Sequence, residues 1–162
     1  LSLKMSSSFT NLAQMIKRLS ETGIDGIVMF NRFYTPDFDI NNFSEKSSDT
    51  FSTPAESGNV RRWIGIMSQK VKCDLAASTG VHDDEDMIKQ LLAGANAVQV
   101  VSTIYKNGRE QIQKILGGLD SWMDDKAYNT IEQFRGKLSQ DESDNPSAYE
   151  RIQFMKYFSE IS

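Results

Sequence analysis

The stretch DLAASTGVHDDEDMIKQLLAGANAVQVVST, residues 74–103, decides the fold class because it holds two short apolar runs with an amphipathic segment between them. Residues 74–78 and 97–101 have the length and composition of buried strands. The segment between them begins at Asp83, a residue suited to an N-cap, and ends at Gly94, where glycine can adopt a left-handed terminating conformation. A strand, a helix and a second strand in this order predict a parallel pair.

Apolar runs of this kind recur along the chain. They occupy residues 1–5, 26–30, 74–78 and 97–101, and each is followed by a segment with helical spacing. The alternation predicts an α/β fold on a parallel sheet. The first helix should present Leu12, Met15, Ile16 and Leu19 on one face and end at Gly23. A longer later helix should bury a stripe formed by Ile112, Ile115, Leu116, Leu119, Trp122 and Met123.

Two architectures accommodate four strand-helix units. Four units in about 125 residues are half of the eight that close a (β/α) barrel of about 250 residues. An open doubly wound sheet is the alternative, but no Gly-x-Gly-x-x-Gly turn follows any of the strands. The absence of that turn favours the C-terminal half of a TIM-type barrel, although periodicity alone leaves both architectures open.

Two segments do not follow the alternation of strands and helices. Residues 31–58 are rich in Ser, Thr, Asn, Asp and Pro and show no periodicity, so we expect a mobile lid or binding loop there. Its aromatic residues need surfaces to pack against; they are Phe33, Tyr34, Phe38, Phe43 and Phe51. Residues 139–147 are polar and acidic, which predicts a linker to a final helix carrying Tyr149, Ile152, Phe154, Met155 and Phe158.

Bulk composition restricts the environment and the partners. The 162 residues carry a net charge of −4, with 18 Lys and Arg against 22 Asp and Glu. Without a basic run, we expect neither a nucleic-acid nor an anionic-membrane partner, and we expect a cytoplasmic location. No apolar stretch approaches the roughly 20 residues of a membrane span. Cys73 lies in an apolar run and is expected to be a buried structural residue, and the single histidine, His82, makes a metal site improbable.

The ends of the last two predicted strands are candidates for phosphate binding. Ser78, Thr79 and Gly80 follow one strand, and Ser102 with Thr103 follow the other. Helix starts at such junctions offer unpaired amides and the positive end of a dipole. In barrels, phosphates are often bound after the last two strands. These hydroxyl residues could equally serve only as helix caps, and spacing does not separate the two interpretations.

Two further residues are candidate functional residues because of their positions in the predicted strands. Lys4 lies within an apolar strand, where its ammonium needs an anionic partner or access to solvent. A lysine extending from a strand end to water is the structural alternative. Asn31 ends the second strand, where catalytic-face residues of a barrel emerge, or it is an ordinary turn residue.

Several segments together resemble class 1 dihydroorotate dehydrogenases. The similar segments are residues 3–5 (LKM), 23–32 (GIDGIVMFNR), 78–81 (STGV), 91–100 (LLAGANAVQV), 105–108 (YKNG) and 131–138 (IEQFRGKL). The resemblance covers about residues 1–139, which would be the C-terminal half of an FMN-binding barrel, and leaves residues 140–162 as an extension. It implies an FMN oxidoreductase that converts dihydroorotate to orotate in pyrimidine biosynthesis.

The resemblance also implies roles for particular residues. Lys4 would contact the flavin ring, Asn31 would bind the substrate with Arg32 beside it, and Ser78, Thr79, Gly80, Val101, Ser102 and Thr103 would surround the FMN phosphate. Four residues depart from the family pattern. Thr79 replaces the first of two glycines, Val101-Ser102 replaces a Gly-Thr pair, and Arg32 replaces a small polar residue, which suggests a different small anion as substrate.

The same resemblance implies that half of the site is elsewhere. The general base of the family lies on a loop after the fourth strand, so no catalytic base is expected in this chain. Because Leu1 already lies in an apparent strand, we expect residues upstream and an inactive isolated chain. The alternative is a non-catalytic half-barrel that self-associates and retains at most phosphate binding; a third possibility is a phosphate-binding isomerase or aldolase barrel.

The expected open sheet predicts that the chain associates with another chain. Val28, Phe30, Val98 and Val100 are predicted to form an inward apolar face that helices on one side cannot cover. With two open strand edges, this predicts a homo-oligomer or pairing with the missing N-terminal half.

Overall fold

The computed structural model describes residues 1–33, 35–47 and 49–150. The strands are β1 (Ser2–Met5), β2 (Gly26–Met29), β3 (Pro36–Asp39), β4 (Ser44–Ser47), β5 (Asp74–Ser78) and β6 (Ala97–Gln99). The helices are α1 (Leu12–Ser20), α2 (Ser57–Met67), α3 (Asp84–Ala93), α4 (Ser102–Asn107), α5 (Glu110–Asp125) and α6 (Ser147–Glu150). Single 3-10 turns lie at Pro54–Glu56 and Ile131–Gln133.

The main sheet is parallel and has the strand order β1-β2-β5-β6. In its register Lys4 is beside Val28, Val28 is beside Ala76, and Ser78 is beside Gln99. The predicted α/β class with a parallel sheet is therefore confirmed. The four predicted strands are present, and β5 has the predicted bounds.

The local signals that set the ends of α3 are also confirmed. The Asp83 carboxylate accepts a hydrogen bond of 2.8 Å from the Asp86 amide, and Gly94 closes the helix with a φ of 115°. Glycine suits this position because it has no Cβ to clash in a left-handed conformation.

One face of the sheet carries the core. Met5, Ile27, Met29, Leu75 and Ala77 are buried against apolar residues of the first two helices, Leu12, Ile16, Val60, Ile64 and Met67. A second cluster joins Ile88 and Leu91 of α3 to Leu119 of α5 and to Phe134. Both clusters cover the same face, so the helices form a single layer against the sheet.

The opposite face is mixed in character, which corrects the expected inward apolar face. The prediction is wrong for Phe30 and Val98, which belong to the helix-side clusters. Val98 is beside Ala77 in the register and therefore points with it toward the helices, whereas Phe30 lies just beyond the end of β2. The side chains that occupy the opposite face at the carboxyl ends of the strands are those of Lys4, Ser78 and Gln99.

Residues 31–58 are more structured than their composition predicts. The antiparallel pair β3 and β4 forms a hairpin, and a 3-10 turn then leads directly into α2. The aromatic residues do not fill the core: Phe38 and Phe43 are 67% and 95% exposed. Tyr34 lies outside the described residues.

The predicted stripe of α5 is correct only in part. Ile115 and Leu119 are buried, but Ile112 and Leu116 remain exposed. Residues 139–147 begin with the buried Ser139 and Gln140, and the Gln140 amide donates to the Gly65 carbonyl at 2.9 Å. Tyr149 lies on α6, while Ile152, Phe154, Met155 and Phe158 lie outside the described residues. Within the described part of the chain, no helix has both the length and the apolar character to cross a membrane.

Candidate functional site

A cavity of about 240 Å³ opens at the carboxyl ends of the parallel strands. Its lining includes eight of the nine residues singled out from the sequence: Lys4, Asn31, Arg32, Ser78, Thr79, Gly80, Val101 and Ser102. Thr103 is the exception, because it is fully buried and its hydroxyl donates to the His82 carbonyl at 3.0 Å. Four segments that are distant in sequence thus converge on one cavity.

Lys4 extends across the concave side of the sheet. Its Nζ donates to Ser78 Oγ at 3.0 Å and to Gln99 Oε1 at 3.4 Å, so it connects β1 to β5 and β6 while passing β2. A flat sheet would place β1 and β6 about 14 Å apart with parallel side chains. A contact between these two edge strands therefore requires the sheet to curl toward this face.

Among the described residues, Lys4 has no counter-ion. Both of its hydrogen-bond partners are neutral oxygens, and none of the described residues provides a carboxylate within ion-pair distance of it. Lys4 is itself exposed, so its ammonium has the access to solvent that the structural alternative expected. Its positive charge beside the cavity still favours a negative or electron-rich group there.

The turn after β5 brings backbone close to the cavity. Thr79 and Gly80 both have positive φ angles, 89° and 83°. The Thr79 hydroxyl donates to the Phe30 carbonyl at 3.2 Å and so links this turn to the end of β2. A Cβ on Gly80 would lie 2.8 Å from Ser57 Cα, so the packing of α2 against the turn requires glycine here.

The two helix starts considered for phosphate binding differ sharply. The first turn of α3 contains Asp84, Glu85 and Asp86, and its cap is the Asp83 side chain. Another anion at that end would be repelled by these carboxylates. The start of α4 has no acidic residue in its first turn, and its first residue, Ser102, lines the cavity. The donors suited to a phosphate are therefore those of the Thr79–Gly80 turn and of Ser102.

Arg32 lines the cavity but its guanidinium is already engaged. Its Nε forms an ion pair of 2.8 Å with Glu56, and its Nη1 donates to the carbonyls of Asp49 and Thr50 at 2.9 and 3.1 Å. Burial alone would raise the pKa of Glu56, but hydrogen bonds from Arg32 and from the Thr53 amide hold that pKa below its usual value. The contacts of Arg32 thus hold residues 49–56 as a wall of the cavity.

Three site residues escaped the sequence analysis as candidates. Ser52 is buried, and its hydroxyl lies 3.0 Å from Ser102 Oγ and 3.2 Å from His82 Nε2. Gln99 could have been found from the period of two along β6, since its register position matches that of Ser78. No signal marks Ser52, which lies in an irregular segment, or His82, which resembles an ordinary loop residue.

A second, larger cleft has a volume of about 560 Å³. It is lined by residues of α2, α3 and α6 that include Arg62, Leu92 and Tyr149, and it shares no lining residue with the first cavity. Burial raises the pKa of the Tyr149 phenol there. Burial, followed by the nearby Asp74 carboxylate, likewise raises the pKa of Cys73, which packs against the main core. Neither group is activated for chemistry.

The fold and cavity define an α/β protein with a polar, cationic site at the carboxyl edge of a curled parallel sheet. Over 86 residues, 53% of the chain, it is 34% identical to dihydroorotate dehydrogenase (fumarate) of Lachancea kluyveri. Over 140 residues, 84% of the chain, it is 26% identical to the catalytic subunit of dihydroorotate dehydrogenase B (NAD(+)) of Methanothermobacter thermautotrophicus. No family model matches the chain.

Solved structures agree with this similarity at the level of the fold. The ligand-free dihydroorotate dehydrogenase of Eimeria tenella superposes on 85% of the chain with a TM-score of 0.68 and 21% identity. The chain covers 39% of that structure, and it covers 27% and 46% of the two relatives named above. It therefore spans less than half the length of these proteins.

Proposed function

We propose that this chain forms the flavin-phosphate side of an FMN-dependent oxidoreductase similar to dihydroorotate dehydrogenase, and corresponds to the C-terminal half of its barrel. The observation that carries the proposal is the position of Lys4. Its ammonium lies on the concave face of the curled sheet beside Ser78 and Gln99, without a counter-ion among the described residues. The similarity to dihydroorotate dehydrogenases supports the same function.

The residues around the cavity suit part of an FMN molecule. Thr79, Gly80, Val101 and Ser102 offer small side chains, hydroxyls and amides around a space of about 240 Å³. Pockets that enclose a whole ligand of this size usually measure about 300–1,000 Å³. The described residues thus suit the phosphate and the adjoining chain of the cofactor, while the rest of its wall would come from other parts of a barrel.

When bound, FMN would supply hydride acceptance from a dihydroorotate-like substrate. Lys4 would place its positive charge beside the flavin ring and favour the reduced, anionic form. The backbone N–H of Asn31 donates to the Met5 carbonyl at 2.8 Å. Its side chain would extend from the end of β2 to the substrate. Arg32 would act by holding the cavity wall, because Glu56 already neutralises its charge.

Binding of FMN to the 162-residue chain tests the proposal through quenching of flavin fluorescence. We expect Lys4→Met to weaken FMN binding by about 10- to 100-fold, the value of one charge-assisted hydrogen bond. Lys114→Met, at an exposed position of α5, is the matched control and should bind FMN as the unaltered chain does. Absence of FMN binding, or equal binding by both variants, would contradict the proposal.

Oxidation of dihydroorotate by the isolated chain is not a suitable test of this proposal. We propose that the general base and the remaining flavin contacts lie in the other half of the barrel, so the isolated chain should not oxidise dihydroorotate. The alternative is a non-catalytic half-barrel that self-associates and retains at most phosphate binding. It is disfavoured because Lys4, Ser78 and Gln99 place polar groups on the face that would associate.

A further inference from the structure

A chain of side-chain hydrogen bonds leads from the single histidine to the cavity. His82 Nε2 lies 3.2 Å from Ser52 Oγ, and Ser52 Oγ lies 3.0 Å from Ser102 Oγ. The Ser52 amide also donates to Ser102 Oγ at 2.9 Å. Ser52 and Ser102 both line the cavity, whereas His82 stands behind Ser52.

The surroundings hold each member in place. The His82 carbonyl accepts from Thr103 Oγ1 at 3.0 Å and from Gln111 Nε2 at 3.1 Å, which connects its loop to α4 and α5. The Ser52 carbonyl accepts from Lys106 Nζ at 3.2 Å. These contacts join three segments, so the relative positions of the imidazole and the two hydroxyls are set by the fold.

The count of donors and acceptors allows two directions for this chain, and the imidazole tautomer selects between them. A serine hydroxyl has one proton and two acceptor positions. In one direction, Ser102 Oγ accepts from both the amide and the hydroxyl of Ser52, so its acceptor positions are filled and its own proton is directed elsewhere. Ser52 has then used its proton and can only accept from His82, which requires the proton of the imidazole to be on Nε2.

We propose that His82, acting through Ser52, orients the Ser102 hydroxyl as a hydrogen-bond donor to an anionic oxygen in the cavity. His82 is then a positioning residue for a phosphate or another tetrahedral dianion. The inference rests on the proposed function, because it assumes that the phosphate occupies the side of the cavity formed by Ser102. The opposite tautomer would reverse the chain and turn an acceptor toward the same place, where it would repel the anion.

Sulfate is the probe, because it remains a dianion throughout the neutral range and binds without the rest of a nucleotide. Sulfate affinity of the full 162-residue chain would be measured by calorimetry. We expect His82→Leu and Ser52→Ala each to weaken sulfate binding about fivefold, as expected for one neutral hydrogen bond. The double variant should lose no more than either single variant, because both changes break one chain.

His82→Gln provides the rescue, since its side-chain amide can donate to Ser52 in place of Nε2. It should bind sulfate within about twofold of the unaltered chain, as should Ser121→Ala, an exposed serine of α5. The chain has one histidine, so the imidazole nitrogen resonances are unambiguous. They should show the Nε2-protonated form and should shift when sulfate is added.

The outcomes separate the two proposals. Three results would each overturn the role of His82: unaltered sulfate affinity in His82→Leu, a proton on Nδ1 instead of Nε2, or equal losses of affinity in His82→Leu and His82→Gln. FMN binding would then still test the proposed function. If the unaltered chain binds neither sulfate nor FMN, both proposals fail.

Discussion

At the scale of single residues, Thr79 occupies a backbone conformation that suits glycine. Its φ of 89° costs a β-branched residue of the order of 1–3 kcal/mol. The hydrogen bond from its hydroxyl to Phe30 offsets part of this cost, at about 0.5–1.5 kcal/mol. The threonine therefore combines local strain with a link between two strand ends of the cavity.

This combination predicts that, at residue 79, glycine is more stabilising than alanine, the reverse of their order within a helix. Thr79→Ala loses the hydrogen bond and keeps the strain, whereas Thr79→Gly loses both, so the glycine variant should be more stable than the alanine variant by about 1 kcal/mol. At Ser121, in the middle of α5, the opposite order is expected: the alanine variant should be more stable than the glycine variant by a similar amount. Urea denaturation of the four variants measures both differences. A more stable alanine at residue 79 would show that its conformation carries no strain.

The ion pair between Arg32 and Glu56 predicts a pH dependence. Since the pKa of Glu56 is lowered in the folded chain, its contribution is present above the unfolded pKa and is lost as pH falls through the folded value. We expect Glu56→Gln to reduce the free energy of unfolding by about 0.5–1 kcal/mol at pH 7, and by progressively less as the pH is lowered below the unfolded pKa. Glutamine can keep the acceptor for the Thr53 amide, but its NH2 group replaces the oxygen that accepts from Arg32, so the substitution removes the ion pair together with its hydrogen bond. A difference independent of pH would count against an electrostatic role.

At the scale of elements, the segment between β2 and α2 has two parts with different support. The hairpin of β3 and β4 is exposed on both strands, and Lys46 pairs with Asp37 across it at 3.1 Å. The wall at residues 49–56 is attached to Arg32, Ser102 and Lys106. The lid predicted from the sequence therefore corresponds best to the hairpin alone.

Hydrogen exchange should separate these two parts. We expect amides of the hairpin to exchange among the fastest in the chain, because an isolated two-stranded hairpin is marginally stable. Amides of residues 52–56 should be protected more strongly, since Ser52 and Thr53 donate to Ser102 and Glu56. Protection of the hairpin equal to that of β2 or β5 would rule out its role as a lid.

At the scale of the whole molecule, the sheet has two edges without a partner strand in the described part of the chain. These edges are β1 and β6, and Leu1 and Leu3 at the first of them are exposed. Unpaired edges promote association with another chain. The concave face contributes less than the sequence suggested, because Lys4, Ser78 and Gln99 lie on it together with the apolar row of Val28, Ala76 and Ala97.

We therefore predict association through the strand edges. Sedimentation at micromolar concentration should show a dimer or a larger species, or a complex with a chain that supplies the other half of a barrel. Phe43→Asn, which removes an almost fully exposed aromatic ring from the hairpin tip, should leave this association unchanged. A monodisperse monomer, or loss of association in Phe43→Asn, would refute the edge model.

Local sequence patterns were sufficient to predict the parallel α/β class, the bounds of β5, the Asp83 cap and the Gly94 end of α3, because these signals lie within short segments of the chain. The resemblance of short motifs was enough to select eight residues that line the cavity. The tertiary structure alone decided the curl of the sheet, the engagement of Arg32 and the grouping of His82, Ser52 and Ser102. Those contacts join residues 24 to 95 positions apart, and the geometry of such contacts depends on packing that no local pattern encodes.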